Sequence, residues 1–552
     1  MIEEKIKKSI ENSLKALKVQ GDAVHLEHPA DLIMGDYSTN VAFRLGKGKA
    51  EEIAAELKKN MPSEIEKVEV AGPGFINFYL NKYFFQDSVK KILNDEDFGK
   101  NNLNKGKKIM VEYTDPNPFK PLHIGHLMTN AIGEAVARVL EYSGAEVLRA
   151  NYQGDVGLHV ARAIYGLLKK PEEYRLKNET LQNQALYIGK AYAYGAEAYE
   201  TDPEAKHEID EINKKIYKRS DGEINDLYTW GFEATMEAFE EVYKILGTKF
   251  DFYFLESKAA VWGEQLVREN IGKIFEESEG AVIFRAEKHD PSLHTRVFLT
   301  KEGLPTYEGK ELGLAYLKLD QVRDLSLAIM VTGSEQKEYM RVVAKALSLI
   351  DKKYEGKIFH ITHGLMRLSR GKAGKISSRE GTALPALDLI SELKGKARDN
   401  IDAAVAAIKY VILRQAAGAD VIFDVEKSVS LEGDSGPYLQ YSYARAKSVL
   451  AKAKEENMFP NFNELPAEVS ETEKLLYRFP EVVARAAQEY EPHHIANYLI
   501  DLARAFNSYY GSNKILDVKD IYSPYKLALT SAYAKVLEKG LYLLGIKAPE
   551  RM

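Results

Sequence analysis

Residues 109–127, Ile-Met-Val-Glu-Tyr-Thr-Asp-Pro-Asn-Pro-Phe-Lys-Pro-Leu-His-Ile-Gly-His-Leu, join a short apolar strand to a helical pattern through a loop broken by Pro116, Pro118 and Pro121. Strand, turn and helix in this order predict an open parallel α/β sheet. In such a sheet the loop lies at the carboxyl end of the strand, where ligands bind, and the helix turns its first N–H groups toward any anion held there. His123 and His126 stand three residues apart on the first helical turn, so they face the same side. Gly125 between them leaves bare backbone that a flat ligand can approach. The arrangement suits a nucleotide. Taken alone, His-x-x-His fits a metal pair or two structurally satisfied histidines equally well.

A chain of 552 residues has length for three or four domains. Its net charge of −6 means that a nucleic-acid partner would have to be met by a local basic surface. The absence of cysteine excludes disulfides, thiolate zinc sites and cysteine nucleophiles. The opening Met-Ile-Glu-Glu-Lys-Ile-Lys-Lys lacks a signal-peptide core, and no run of about 18 apolar residues occurs, so a cytoplasmic location with no membrane span is expected.

Ile6, Ile10, Leu14 and Leu17 predict an amphipathic first helix, and a second helical pattern covers 49–57. Strands at 67–70 and 75–80 flank the turn Gly72-Pro73-Gly74, which completes a small α+β domain. A second strand, 146–150, leads into Asn151-Tyr152-Gln153-Gly154-Asp155-Val156-Gly157. Residues 160–280 read as a charged helical insertion whose charges form a solvated face. The β-branched runs 280–285, 295–300 and 325–331 are expected to supply the second half of the central sheet, followed by 357–364. Gly374-Lys375-Ile376-Ser377-Ser378-Arg379-Glu380-Gly381 does not satisfy the Walker spacing and could be a solvated turn. A lysine on a mobile loop can equally meet a departing pyrophosphate. From Gly436 the pattern is helical, with Ile495, Tyr498, Leu499, Leu502, Phe506 and Tyr509 on one stripe.

Val-Glu-Tyr-Thr-Asp-Pro-Asn-Pro-Phe-Lys-Pro-Leu-His-Ile-Gly-His (111–126) resembles the arginyl-tRNA synthetases, within the class I aminoacyl-tRNA synthetases. The 374–381 segment resembles the Lys-Met-Ser-Lys-Ser loop of that class in its arginyl form, although a second Gly-Lys lengthens it here. Gly35-Asp36-Tyr37-Ser38-Thr39-Asn40 and Gly-Pro-Gly-Phe-Ile-Asn-Phe (72–78) resemble the family's N-terminal domain, and Phe506-Asn507-Ser508-Tyr509-Tyr510 its helical C-terminal domain. The family usually has tryptophan at Val156 and aspartate at Glu311.

The resemblance implies a Rossmann-type parallel-sheet catalytic domain (106–395) carrying the 160–280 insertion. A tRNA-elbow-binding α+β domain (1–105) would precede it, with a stem (396–435) and an all-α anticodon-binding domain (436–552) after it. It implies catalytic roles for Lys120, His123, His126 and Lys375. ATP would be held by Gly125, His123, His126, His363, Gly364, Met366, Lys375 and Ser377. Arginine would be held by Glu112, Asp115, Asn117, Tyr307, Glu311 and Gln336. A guanidinium is planar and always charged, so carboxylates placed for paired hydrogen bonds are what its pocket needs. Phe75, Asn77, Tyr438, Arg445 and Tyr509 would contact tRNA; the same pattern also fits Phe75 as core and Asn77 as the end of a ladder. The implied substrates are L-arginine, ATP with Mg²⁺ and tRNA(Arg), acting on a monomer without protein-bound zinc. Another class I synthetase, for cysteine or glutamate, and a non-catalytic tRNA-binding relative share parts of this pattern. The missing cysteines speak against a cysteinyl enzyme.

Overall fold

Three prolines stop residues 113–122 from joining either a ladder or a helix, so the chain leaves the central sheet sharply at one point. The computed structural model describes residues 2–19, 24–174, 179–369 and 384–552. In the N-terminal domain, strands β1 (Tyr37–Thr39), β2 (Ile65–Ala71) and β3 (Phe75–Leu80) form an antiparallel sheet ordered β1-β3-β2. Ile6, Ile10, Ile53, Leu57, Val68, Ile76 and Phe78 close its core against helices Ile2–Ala16 and Lys47–Leu57. The helix Lys82–Asn94 leaves this domain and packs against the C-terminal helix Ser523–Leu543.

Five parallel strands make the central sheet: β4 (Lys108–Glu112), β5 (Glu146–Gln153), β6 (Phe252–Leu255), β10 (Leu325–Gly333) and β11 (Ile358–His363). They lie in the order β11-β10-β4-β5-β6. The chain order reverses between β4 and β10, and at such a switch point the loops part to leave a crevice at the carboxyl edge. Met330 pairs with Glu112 and Gly333 with His363, so the ends of β10, β4 and β11 open onto this one crevice.

Two expectations need correction. The helical insertion ends at Leu246, and Phe252–Leu255, counted with it, is a central-sheet strand. Four residues are too few to show a period, and the charged helices on either side hide them. The runs at 280–285 and 295–300 are not central strands. They form β8 (Ala281–Phe284) and β9 (Arg296–Leu299), antiparallel to each other, with β7 (Glu276–Ser278) on the other side of β8. An apolar run reports burial, and here Phe284 and Phe298 are buried against Phe275 and helix residues Leu312 and Val343 instead.

Helices Leu158–Lys169, Leu181–Thr201, Pro203–Lys218 and Gly222–Leu246 share their own core around Val160, Ile164, Ile188, Ile209 and Ile224. Strands β12 (Met366–Ser369) and β13 (Val421–Asp424) pair in parallel. The C-terminal helices Gly436–Glu455, Phe479–Glu489, His493–Ser512 and Ser523–Leu543 bury Ile495, Leu499, Leu502 and Phe506 in one core continuous with the helix Ile124–Tyr142. Among the described residues, no helix is long and apolar enough to cross a membrane.

Candidate active site

The helix that follows β4 starts with a cap built from both histidines. Nδ1 of His123 accepts from the Gly125 N–H at 3.1 Å, and Nδ1 of His126 accepts from the His123 N–H at 3.0 Å. This is the reciprocal logic of a capping box, written in imidazoles. The rings lie 3.7 Å apart. Burial, with Lys120 nearby, holds His123 below its usual pKa; burial and the neighbouring His123 push His126 much further down. Both rings are therefore neutral near pH 7. With each Nδ1 accepting, each Nε2 carries the proton and is the remaining donor.

The loop before this helix is conformationally strained. Thr114, Asp115 and Phe119 have φ of 79°, 45° and 66°, a region that non-glycine residues rarely enter. Phe119 is fully buried among the insertion helices, against Gly231, and so pins the loop to the insertion. Gly154 faces Asn117 across the cavity: a Cβ there would lie 2.1 Å from Asn117 Oδ1, so the amide would have to swing aside. Asp155, in the same β5 loop, is buried and accepts from the Ser257 N–H, the Ser257 hydroxyl and the Tyr228 hydroxyl.

A cavity of about 500 Å³ opens at the switch point. Of the residues singled out from sequence, it brings together Glu112, Asp115, Asn117, His123, Gly125, His126, Tyr307, Glu311, Gln336 and His363. One wall is dominated by carboxylates. Glu112 is nearly fully buried and makes a 2.6 Å ion pair with the equally buried Lys318. Glu256 pairs with Lys310 at 2.6 Å. Glu311 has no ion pair of its own among the described residues, and burial, reinforced by Glu112 and Glu256 against Lys318, pushes its pKa up to about 8. Asp115 accepts from the Tyr152 N–H at 2.7 Å; burial and Glu112 raise its pKa as well. A wall of under-compensated carboxylates calls for a cationic ligand.

Other positions fall elsewhere. Lys120 turns its ammonium over the Tyr192 ring, 4.9 Å from the centroid. Met366 is buried at the start of β12, and Gly364 packs on Ala419 and Asp420, while Leu365 between them lines the cavity. Lys375 and Ser377 lie outside the described residues. The chain re-enters at Leu384, whose carbonyl accepts from the Ile124 N–H at 3.0 Å, while the Ala386 N–H donates to Leu122 O at 2.8 Å. The segment following the Lys375 loop thus abuts His123. Nothing in the sequence marks Tyr152, Glu256 or Lys318, whose partners lie far away in the chain, and Lys310, a candidate surface partner for the adjacent Glu311, pairs with Glu256 instead.

Of the positions predicted to meet tRNA, Asn77 is buried and accepts from the Ser38 hydroxyl at 2.7 Å, whereas Phe75 is half-buried against the exposed Phe43. Arg445 lines a separate cavity of about 800 Å³ with Tyr441, Tyr510, Lys514 and Arg551, and its guanidinium lies over both tyrosine rings. Tyr438 accepts from Asn507, and Tyr509 packs on the helical core.

Residues 88–413 match the family described as tRNA synthetases class I (R), catalytic domain. The chain belongs to the arginyl-tRNA synthetases, class I enzymes that ligate arginine to tRNA. Residues 4–80 match the arginyl tRNA synthetase N-terminal domain, and 439–552 the DALR anticodon binding domain. An arginine–tRNA ligase of Thermococcus sibiricus is 30% identical over 97% of this chain and 96% of its own length. One from Clostridium perfringens is 29% identical, covering 100% of this chain and 99% of its own. The solved Thermus thermophilus arginyl-tRNA synthetase has the same fold, with a TM-score of 0.80 at 24% identity over the full length of both chains. The family's N-terminal domain, parallel-sheet catalytic domain and helical C-terminal region are thus all present.

Proposed function

We propose that the switch-point cavity holds arginine and ATP side by side, activates the arginine carboxylate, and hands the arginyl group to tRNA(Arg). The observation that carries this reading is a single cavity with carboxylates on one wall and a neutral imidazole pair at a helix N-terminus on the other. The guanidinium takes Glu311, Tyr307 and Gln336, with Asp115 adding negative charge. Glu112, anchored by Lys318, and Asn117 take the α-amino and carboxylate end. Lysine offers fewer donors in the wrong geometry and would leave buried acceptors unpaired, a penalty that makes an editing step unnecessary.

His123 and His126 donate through Nε2 to the phosphates, Gly125 lets the nucleotide approach the backbone, and residues 363–366 border the adenine. Mg²⁺ arrives with the ATP phosphates as part of the substrate. An oxygen of the arginine carboxylate attacks the α-phosphorus, and the bond to pyrophosphate breaks. Lys375, with Lys120 and Ser377, meets the charge that develops on the leaving group. In the second step a 3′-terminal hydroxyl of tRNA attacks the arginyl carbonyl, loses its proton and expels AMP. Positioning and charge stabilisation supply the rate, since neither step needs a covalent bond to the protein.

Residues 1–105 meet the tRNA elbow through the half-buried Phe75 and its exposed neighbour Phe43, while the buried Asn77 holds the strand beneath them through Ser38. Residues 436–552 read the anticodon, with Arg445, Tyr441 and Tyr510 offering a cation and stacking faces; Tyr438 supports Arg445 from behind through Asn507, and Tyr509 anchors the helix in the core. Residues 106–395 carry the chemistry and 396–435 the stem. The enzyme acts as a cytoplasmic monomer. Arginine-dependent ATP–pyrophosphate exchange in the presence of tRNA tests the catalytic roles: His126→Ala and Lys375→Ala each lose exchange, and an unaltered rate removes that residue from the mechanism.

A further inference from the structure

Tyr113 is the last residue before the strained turn, and it is held by the helix that the histidines cap. Its fully buried ring lies so close to Gly133 that a Cβ there would come within 2.2 Å of Tyr113 Cγ. Its hydroxyl donates to Glu134 at 2.5 Å. Thr114 is held by the same helix, since Asn130 donates to its hydroxyl at 3.0 Å and itself accepts from Thr248 at 3.1 Å. Glu134 is 3% exposed and receives Arg138 at 2.6 Å and Arg149 at 3.0 Å. Burial opposes its ionisation, and the two guanidiniums overcome that cost and keep it charged.

Arg138 faces the other way as well. Its two terminal nitrogens donate, at 3.0 Å each, to Tyr542 O in the last turn of the C-terminal helix and to Gly247 O at the end of the insertion. Its guanidinium lies over the Tyr542 ring, 4.8 Å from the centroid. Lys409 repeats the bridge beneath it, donating to Leu246 O at 2.6 Å and Gly545 O at 2.7 Å. The Arg138 guanidinium and the Lys409 amine, whose pKa burial lowers to about 7, therefore both donate to the carbonyl ends of two helices from different parts of the chain, where the helix dipole favours positive charge. Beyond Gly545 the chain runs on to Arg551 and Met552, which line the 800 Å³ cavity of the C-terminal domain.

We propose that Glu134 and Arg138 are positioning residues for the arginine-binding loop: they fix Tyr113, and through it Thr114 and Asp115, in register with the last helix of the C-terminal domain. Neither residue touches substrate. The strained turn persists because its neighbours over-determine it, and the Glu134–Arg138 pair is the part of that surrounding structure which reaches a second domain. The proposal rests on the reading above that Asp115 and Asn117 face arginine.

The test is steady-state ATP–pyrophosphate exchange on the full-length chain with tRNA present, comparing Tyr113→Phe, Glu134→Gln and Arg138→Lys. Loosening the turn is expected to raise KM for arginine about 10-fold while KM for ATP stays within about 2-fold, because the histidine cap is untouched. A role in stability alone would lower Tm or the active fraction and leave the arginine KM unchanged, and that outcome overturns the proposal, as do equal rises in both constants. Asp115→Asn separates the two levels. If it leaves the arginine KM alone, the pocket reading fails; if it raises that KM and Tyr113→Phe does not, the positioning proposal fails. Tyr542→Ala keeps the backbone carbonyl but removes the ring beneath Arg138. The effects of Tyr542→Ala and Tyr113→Phe on the arginine KM should be less than additive, and strict additivity would break the link to the C-terminal helix.

Discussion

His123 and His126 each use Nδ1 to accept a backbone N–H of the same helical turn, so one nitrogen of each ring builds the helix and the other is left for the ligand. Structure and chemistry can therefore be separated by substitution. An asparagine amide oxygen can stand where Nδ1 of His123 stands, but it leaves nothing at Nε2. His123→Ala should cost about 1 kcal/mol of stability, and His123→Asn close to none. Both should lower the exchange kcat by about 10²-fold. Urea unfolding and exchange rates on the two variants check this; near-normal exchange in the asparagine variant would remove Nε2 of His123 from the chemistry.

Glu311 should give arginine use a characteristic pH dependence. Its pKa of about 8 in the free enzyme means that it is mostly neutral at pH 7, whereas a guanidinium binds the carboxylate. Binding must therefore expel a proton, and kcat/KM for arginine should rise with pH up to about 8 and level off above it. Burial sets most of this midpoint, with Lys318 and Lys310 lowering it and Glu112 and Glu256 raising it. Glu311→Gln should flatten this limb and raise KM for arginine. A pH profile identical to that of the parent would exclude Glu311 as the titrating group.

The fold around the histidines was legible because prolines and glycine mark it locally: Pro116, Pro118 and Pro121 end the strand, and His123 starts the helix where the pattern changes period. Lys318 was not, because its importance comes entirely from Glu112, on another element and distant in the chain. The same reason hid Glu256 and Lys310. Strand 252–255 was missed because it is short, and the side sheet was misassigned because burial does not name its partner. Arg445 could be singled out from the tyrosine-rich helix, but that Tyr441 and Tyr510 flank it, with Tyr438 and Tyr509 turned elsewhere, required the packing of two helices.

Gly154→Ala probes the wall facing the loop. A methyl group 2.1 Å from Asn117 Oδ1 must displace that side chain or the loop. KM for arginine should rise about 10-fold or more, with little change in global stability. Kinetics indistinguishable from the parent would mean that Asn117 does not hold the substrate.

Phe119 joins the catalytic loop to the insertion core, which gives the insertion a structural purpose. Phe119→Ala should destabilise the protein by about 3–5 kcal/mol and depress exchange by freeing the strained turn. Unfolding curves with parallel exchange measurements test both halves; full activity in the folded variant would show that the insertion does not restrain the loop.

The central claim is that the carboxylate wall selects arginine. It is tested most directly by charging total tRNA with each of the twenty amino acids, ATP and the full-length chain. Arginine alone should be esterified, and lysine should be rejected by about 10⁴-fold or more in kcat/KM. Charging of another amino acid at a comparable rate, or no charging with arginine, would contradict the account.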